Sequence, residues 1–560
     1  MDKYFEKIPI VIGTTGHIDI DEPEFMREKV EFFFYELKKQ LKNTPVILIS
    51  SMADGADTIF VEAGFKVYNN NIKLIAPLPF SKEKLEKTLS NKEKFLYYCN
   101  RAKIIDISKE IKDENAPAEE HYALASEYII KNSNLLFALY DGKEAKDENN
   151  MPKKGGTYDT VLKCLNQNYV ELINSNIKYP KSIPVIQLVS KRKKFTDKNK
   201  DFGNFICHFP NGTKEKYEND FLKLLDKNGF SYGKTLKNIE KFNILIEKYK
   251  NNPKTEISKN YLLNEKTRYS LNNSINNLIN IYAICDFVAL KKQKSYEIKL
   301  FSLFSMICIT VLYSNFIGNF NVFFSIFAII MLLFWKSISG EKEHLDLRFI
   351  AETLRVLVFW KISGIKEKIS KYILSNEDGD IIWIKASFSN YELNELFSKE
   401  ENIKPDFKLV HDEWLENQAE YYKKTSKKCE INDKKLDTIK YGILSVFLVL
   451  HFIFGISLIL KTDISFLTYS IRESLCKIFL CLGLFTFPSA TYVQSQKAWL
   501  EHQELYSKTG KLFELVKRQF SKTQNTTMKE KLILDISKFA LSEEESWFLL
   551  HRRRKAEPAM

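Results

Sequence analysis

A doubly wound α/β domain followed by an α-helical membrane region is the fold class that this 560-residue chain predicts. Two observations carry it. The first third alternates short aliphatic runs with amphipathic stretches. The later part holds four apolar stretches near the roughly 20 residues that a bilayer crossing needs.

The strands come first. Ile8–Ile12, Val46–Ser50, Ile72–Ala76, Lys103–Ile107, Asn134–Tyr140 and Ile183–Val189 are short and rich in aliphatic residues. Runs of this kind suit strands buried on both faces. Between most of them lie helical patterns at Pro23–Lys42, Ala56–Tyr68, Asn91–Arg101, Ala116–Lys131 and Thr157–Asn168. In the first of these, Phe25, Val30, Phe33, Phe34 and Leu37 recur near helical spacing. The alternation predicts a Rossmann-like parallel sheet over residues 1–190.

Residues 191–298 are polar and rich in Lys and Asn, and read as a mostly helical linker. The run Lys191-Arg192-Lys193-Lys194 that opens them reads as a solvated loop, with a membrane-surface role as the alternative. Residues 299–338 form a predicted transmembrane hairpin, about Leu300–Ile317 and Phe320–Ile338, joined by Gly318-Asn319. Residues 339–440 read as a cytoplasmic helical segment that begins with Glu341–Ile362, where Arg348 and Arg355 flank Glu352 at i−4 and i+3 as an ion-pair ladder. A second predicted hairpin, 441–493, holds Tyr441–Leu460 and about Leu475–Tyr492, with Lys477 near one end. Residues 494–560 read as a cytoplasmic helical tail. These make four predicted transmembrane helices. Lysines precede each hairpin, and the turn Gly318-Asn319 carries none, so the positive-inside rule puts both termini in the cytoplasm. The polar opening Met1–Lys7 does not read as a signal peptide.

The net charge is +13, from 84 Lys and Arg against 71 Asp and Glu. That modest, spread excess fits basic cytoplasmic flanks better than a groove for a DNA or RNA duplex. The eight cysteines form no Cys-x-x-Cys pair and read as reduced. Cys207-His208 has no second Cys/His pair nearby, so no metal is expected. Heavy use of Lys, Asn and Ile suggests an AT-rich bacterial genome.

Four loops are expected at the carboxyl edge of the sheet, where such folds bind ligands. Gly13-Thr14-Thr15-Gly16-His17 ends the first strand. Ser50-Ser51 and Asp54-Gly55-Ala56-Asp57 follow the second, and Pro77-Leu78-Pro79-Phe80 the third. Asp141-Gly142 ends the fifth, and Gly155-Gly156-Thr157 then opens a helix. Glycines there let backbone N–H groups close on a phosphate, and Thr or Ser hydroxyls add donors. The candidate ligand-binding residues are Gly13, Thr14, Thr15, Gly16, His17, Ser50, Ser51, Asp54, Gly55, Asp57, Tyr122, Asp141, Gly142, Gly155, Gly156 and Thr157. Asp54 and Asp57 also read as caps of the following helix, and Asp141 also reads as a turn former.

The combined order of these loops resembles the SLOG superfamily, which includes the DNA-processing Smf proteins and the LOG nucleotide phosphoribohydrolases. The stretches Arg348–Arg355 and Ala540–Trp547 are similar to SLATT-like bacterial membrane effectors. The resemblance implies a bacterial inner-membrane protein of a conflict or anti-phage system, in which the SLOG-like domain senses a nucleotide signal and an oligomer of spans forms a pore. It implies a nucleotide-derived ligand and no required cofactor. LOG-type enzymes end this loop in Gly-Thr-x-x-Glu, where the Glu performs the glycosidic chemistry. Thr160 holds that position here and cannot act as a carboxylate acid or base. Binding is therefore expected rather than hydrolysis. A membrane-tethered nucleotide hydrolase and a regulated transport or structural membrane protein are the alternatives.

Within the apolar stretches, His451 and Pro488 are the gating candidates. An intramembrane ionisable residue suggests function, although a neutral imidazole bonded to a neighbouring helix is the simpler reading. A proline removes a backbone donor and can kink a helix.

Overall fold

The computed structural model describes residues 7–111, 113, 116–148, 150–165, 172–173, 176–177, 183–193, 200–314, 329–330, 333, 342–373, 381–398, 404–460 and 468–553. The chain forms two compact units. The first comprises Met1–Asn251 and Lys368–Glu401, the second Asn252–Glu367 and Asn402–Met560.

The first unit is built on an eight-stranded sheet. Its first five strands are β1 (Ile10–Gly16), β2 (Val46–Ile49), β3 (Ile72–Leu78), β4 (Ala102–Asp106) and β5 (Leu135–Tyr140). A separate short pair, β6 (Leu172–Ile173) and β7 (Asn176–Ile177), follows. β8 (Val185–Val189), β9 (Phe205–His208) and β10 (Lys214–Lys216) complete the main sheet in the order β10-β9-β8-β5-β1-β2-β3-β4. Every pairing from β8 to β4 is parallel. Strand order therefore reverses between β1 and β5, which makes that crevice the switch point of the sheet.

The helices of this region are α1 (Pro23–Gln40), α2 (Ala56–Tyr68), α3 (Lys82–Thr88), α4 (Lys92–Cys99), α5 (Ala118–Asn132) and α6 (Thr157–Leu165). Aliphatic strand residues explain why the sheet is buried on both faces. Val11, Ile47, Ile75, Leu136 and Val185 pack with Ile129 of α5 and Val161 of α6. On the other face Phe33, Phe34, Phe60 and Phe137 form an aromatic layer with ring centroids 4.9–5.3 Å apart. Such rings bury large apolar area and attract one another beyond that burial.

The sheet does not end with the parallel alternation at residue 190. β9 and β10 join antiparallel, followed by α7 (Phe221–Leu224) and α8 (Tyr232–Tyr249). Phe205, Cys207, Phe221, Leu236 and Ile239 are buried there among many Lys and Asn residues, which is why composition alone suggested a linker. Arg192 of the basic run is also part of the fold: Ile20 and Arg192 form a β-bridge, and Arg192 Nε lies 2.8 Å from Asp19 Oδ1.

Polar side chains close the amino edge of the sheet. Glu240 of α8 accepts from the Thr44 hydroxyl at 2.6 Å and from the Asn43 backbone N–H at 3.0 Å. Asn243 bonds both the N–H and the C=O of Ile8. Helix α13 (Ile382–Glu395), far away in sequence, sends Asn390 to the Pro9 carbonyl and to Asn134, each at 2.8 Å. These bonds satisfy buried backbone groups at that edge.

The second unit is helical. It comprises α9 (Thr255–Leu262), α10 (Glu265–Tyr269), α11 (Asn273–Ser314), α12 (Glu343–Ile362), α14 (Phe407–Val410), α15 (Asn417–Ile459), α16 (Tyr469–Lys497), α17 (Trp499–Lys522) and α18 (Thr526–Arg553). A π-helical turn, His411–Glu416, links α14 to α15. α11 packs along α12, α15 along α16 and α17, and α18 against α12 and α17. Among the described residues one helical run, Phe407–Ile459, is long and apolar enough to cross a membrane, and 6 % of its apolar window is buried within the structure. The expectation of four such helices is corrected to one among the described residues. Leu300–Ile317 and Phe320–Ile338 fall partly or largely outside them. Leu475–Tyr492 lies inside α16, several of whose side chains are also outside the description.

Candidate functional site

β1 and β5 end side by side, and their last residues define the carboxyl-edge crevice. His17 Nε2 donates to Asp141 Oδ1 at 3.0 Å, and the pair is mostly buried. The His17 ring meets Tyr140 edge-on at 6.0 Å. Burial pushes the Asp141 carboxyl up, but the His17 bond and the Lys143 backbone N–H outweigh it and hold the group below its ordinary value.

Glycines let these loops approach. A Cβ on Gly16 would lie 2.3 Å from Ala56 Cβ and 2.4 Å from the Leu139 carbonyl oxygen. Gly55 has φ +76°, and its Cβ would meet the Ile18 carbonyl oxygen at 2.2 Å. The α2 N-terminus is thereby drawn against the end of β1, where the Ala56 N–H donates to the His17 carbonyl at 3.0 Å.

The loop after β2 is organised by Asp57. Its carboxylate accepts from the Ala53 N–H at 3.2 Å, and Ser50 Oγ accepts from the Met52 N–H at 3.1 Å. Burial pushes the Asp57 carboxyl up to about 6, against hydrogen bonds from Ala53, Ser50, Met52 and Ser51 that favour the charged form. Asp54 accepts from both the N–H and the hydroxyl of Ser90, each at 2.8 Å. Ser50, Asp54 and Asp57 therefore hold the loop itself.

The Gly155-Gly156-Thr157 turn sits against the start of α5: a Cβ on Gly155 would meet the Ala123 nitrogen and Tyr122 Cβ, each at 2.8 Å. Asp159 accepts from the Gly155 N–H at 2.8 Å and pairs with Lys163 at 2.9 Å, so it caps α6. Thr160 is buried, and its hydroxyl bonds Ser126 Oγ at 3.0 Å and the Gly156 carbonyl at 2.9 Å. Thr160 is thus a tie between α5 and α6.

The structure thus sorts the sequence candidates. Thr15, Gly16, His17, Ser51, Gly55, Asp141, Gly142, Gly155, Gly156 and Thr157 lie at or beside the carboxyl edge with part of their surface open, and Tyr122 is exposed next to Phe80, ring centroids 5.6 Å apart. Thr14 is sealed inside at 1 % exposure, and Gly13 packs on α5, where a Cβ would lie 2.4 Å from Ser133 Oγ. The local pattern missed Gln187. Its Nε2 donates to the Tyr140 carbonyl at 3.2 Å and its Oε1 accepts from His208 Nε2 at 2.7 Å. Burial lowers the His208 pKa to about 4, so this imidazole is a neutral core group. A lone polar residue inside the run Val185–Val189 was the available signal.

In the second unit, His451 Nδ1 lies 2.9 Å from the Cys476 carbonyl oxygen, joining α15 to α16. Pro488 lies within the continuous helix α16. Among the described residues His411, Asp412 and Glu416 come close enough to share a cation, on the surface.

No family model, curated protein or solved structure matches this chain.

Proposed function

We propose that this chain is a nucleotide-signal-sensing membrane effector of a bacterial conflict or anti-phage system. A cytoplasmic SLOG-like domain binds a small nucleotide signal, and a homo-oligomer of the apolar helical region in the inner membrane opens as a pore or channel. One observation carries the reading. The His17–Asp141 pair and the glycine loops occupy the switch-point crevice, while Thr160 and Asp159 are committed to structural bonds. With Thr160 and Asp159 so committed, no free carboxylate stands where the resemblance would put the hydrolytic Glu, which favours recognition over hydrolysis. The apolar run in Phe407–Ile459, largely uncovered by protein, supports a bilayer as its solvent. The basic approach Lys423, Lys424, Lys427, Lys428, Lys434, Lys435 and Lys440 supports a cytoplasmic start. A signal can shift such an oligomer only by binding its open state more tightly than its closed state.

The test is mass spectrometry of small molecules carried through purification of the full chain, followed by dye leakage from liposomes holding the chain. A co-purifying nucleotide that triggers leakage supports the reading. A tightly bound nucleotide with no leakage overturns the effector role, and release of free base or ribose phosphate would instead favour the hydrolase.

A further inference from the structure

The two stretches Arg348–Arg355 and Ala540–Trp547 meet in one buried charge cluster of the helical unit. Arg348 Nη1 lies 2.9 Å from Asp286 of α11, and its Nη2 lies 2.6 Å from Glu352 Oε1. Arg355 Nη1 lies 2.7 Å from Glu352 Oε2, and its Nη2 donates to the Tyr282 hydroxyl at 3.0 Å. From α15, the Tyr422 hydroxyl donates to Glu543 Oε2 of α18 at 3.0 Å. Glu544 lines a small cavity with Glu352, Arg355, Gln418 and Tyr422. Tyr421 of α15 and Tyr506 of α17 face the same carboxyls, and Tyr261 of α9 lies 5.6 Å from the Arg355 guanidinium.

Four carboxyls, Asp286, Glu352, Glu543 and Glu544, thus share a region that holds two guanidiniums, Arg348 and Arg355. Asp286 and Glu352 hold direct ion pairs. Glu543 is 3 % exposed, and its Oε1 has no hydrogen-bond partner among the described residues. A buried carboxylate with like charges around it resists ionisation. The position of the cluster gives this a consequence. α11 leads to the first apolar stretch and α12 follows the second, while α15 runs into the third and α17 follows the fourth.

We propose that this junction is a proton-operated latch: a proton on the Glu543–Glu544 pair keeps α11, α12, α15, α17 and α18 packed, and its release to water loosens them. The carboxyl O–H bond breaks, the electron pair stays on the carboxylate, and the new charge has no unshared guanidinium to meet.

Burial pushes the Glu543 carboxyl up to about 7, with the Tyr422 bond opposing and Glu352 adding to the rise. Burial, Glu352 and Glu543 raise Glu544 as well. A carboxyl raised on folding binds its proton more tightly folded than unfolded. The contribution of this pair to packing is therefore full in acid and is lost as pH climbs from the ordinary carboxylate range towards about 7.

Hydrogen exchange on the full chain in detergent, corrected for intrinsic rates, tests this. Protection over 417–429 and 540–547 should fall about tenfold or more between about pH 5 and about pH 8 in the native chain. It should stay level in Glu543→Gln/Glu544→Gln, whose amides imitate the protonated carboxyls. Tyr422→Phe, which removes only the opposing hydroxyl, should move the midpoint to higher pH. Equal protection at both pH values, a loss that the double variant keeps, or a midpoint moved downward by Tyr422→Phe would overturn the latch. No nucleotide is added, so this outcome stands apart from that of the signal-sensing reading.

Discussion

His17 and Asp141 bridge the ends of β1 and β5 across the reversal of strand order, with Nε2 and Oδ1 3.0 Å apart. Asp141 is held below its ordinary value, so its stabilising contribution is present above about pH 4 and is lost as pH falls through the folded value. Asp141→Asn should destabilise the chain by about 1 kcal/mol at neutral pH. The gap to the native chain should close in acid. Chemical denaturation at several pH values measures both, and a gap independent of pH would contradict the pair.

Asp57 works in the opposite sense. Its carboxyl is raised to about 6 by burial, so the folded loop gains least from it once ionised. Native stability should decline between its ordinary 3.8 and about 6, and Asp57→Asn should flatten that slope. Asp57→Ala, which strips the loop amides of their acceptor, should cost about 1–3 kcal/mol at every pH. Thermal melts across this range distinguish the two variants.

Gly16→Ala should cost about 1–3 kcal/mol, because its Cβ has no room between Ala56 and the Leu139 carbonyl. Gly212, with φ +80° and nothing within 4 Å of a Cβ, is the control. There alanine meets only the left-handed backbone penalty of about 1 kcal/mol. Equal costs at the two sites would mean that the close approach at β1 carries no energy.

Thr160→Val removes a hydroxyl bonded to Ser126 and Gly156 and should cost about 1 kcal/mol or more, since Ser126 loses a buried partner. Thr160→Glu should not create a nucleotide hydrolase, because that side chain points between α5 and α6. Release of base from nucleoside monophosphates by this variant would reopen the enzymatic reading.

The parallel strands were legible in the sequence because strands buried on both faces must be continuous aliphatic runs, as in Val46–Ile49 and Leu135–Tyr140. The glycine turns at Gly16, Gly55 and Gly155 were legible too, since a close backbone approach tolerates no side chain. The Arg348–Glu352–Arg355 ladder followed from helical spacing alone and stands in the structure.

Other features depend on contacts that no local pattern encodes. The join of Asn390 to Pro9 crosses 381 positions, and that of Tyr422 to Glu543 crosses 121. Only tertiary structure decided that His17 would spend its Nε2 on Asp141, that Asp57 would brace a loop, and that Glu543 would be buried without a guanidinium of its own. Periodicity fixes which face of an element is apolar. Which polar group meets which is set by packing between distant segments, where each buried donor or acceptor must find a partner or bear the desolvation cost.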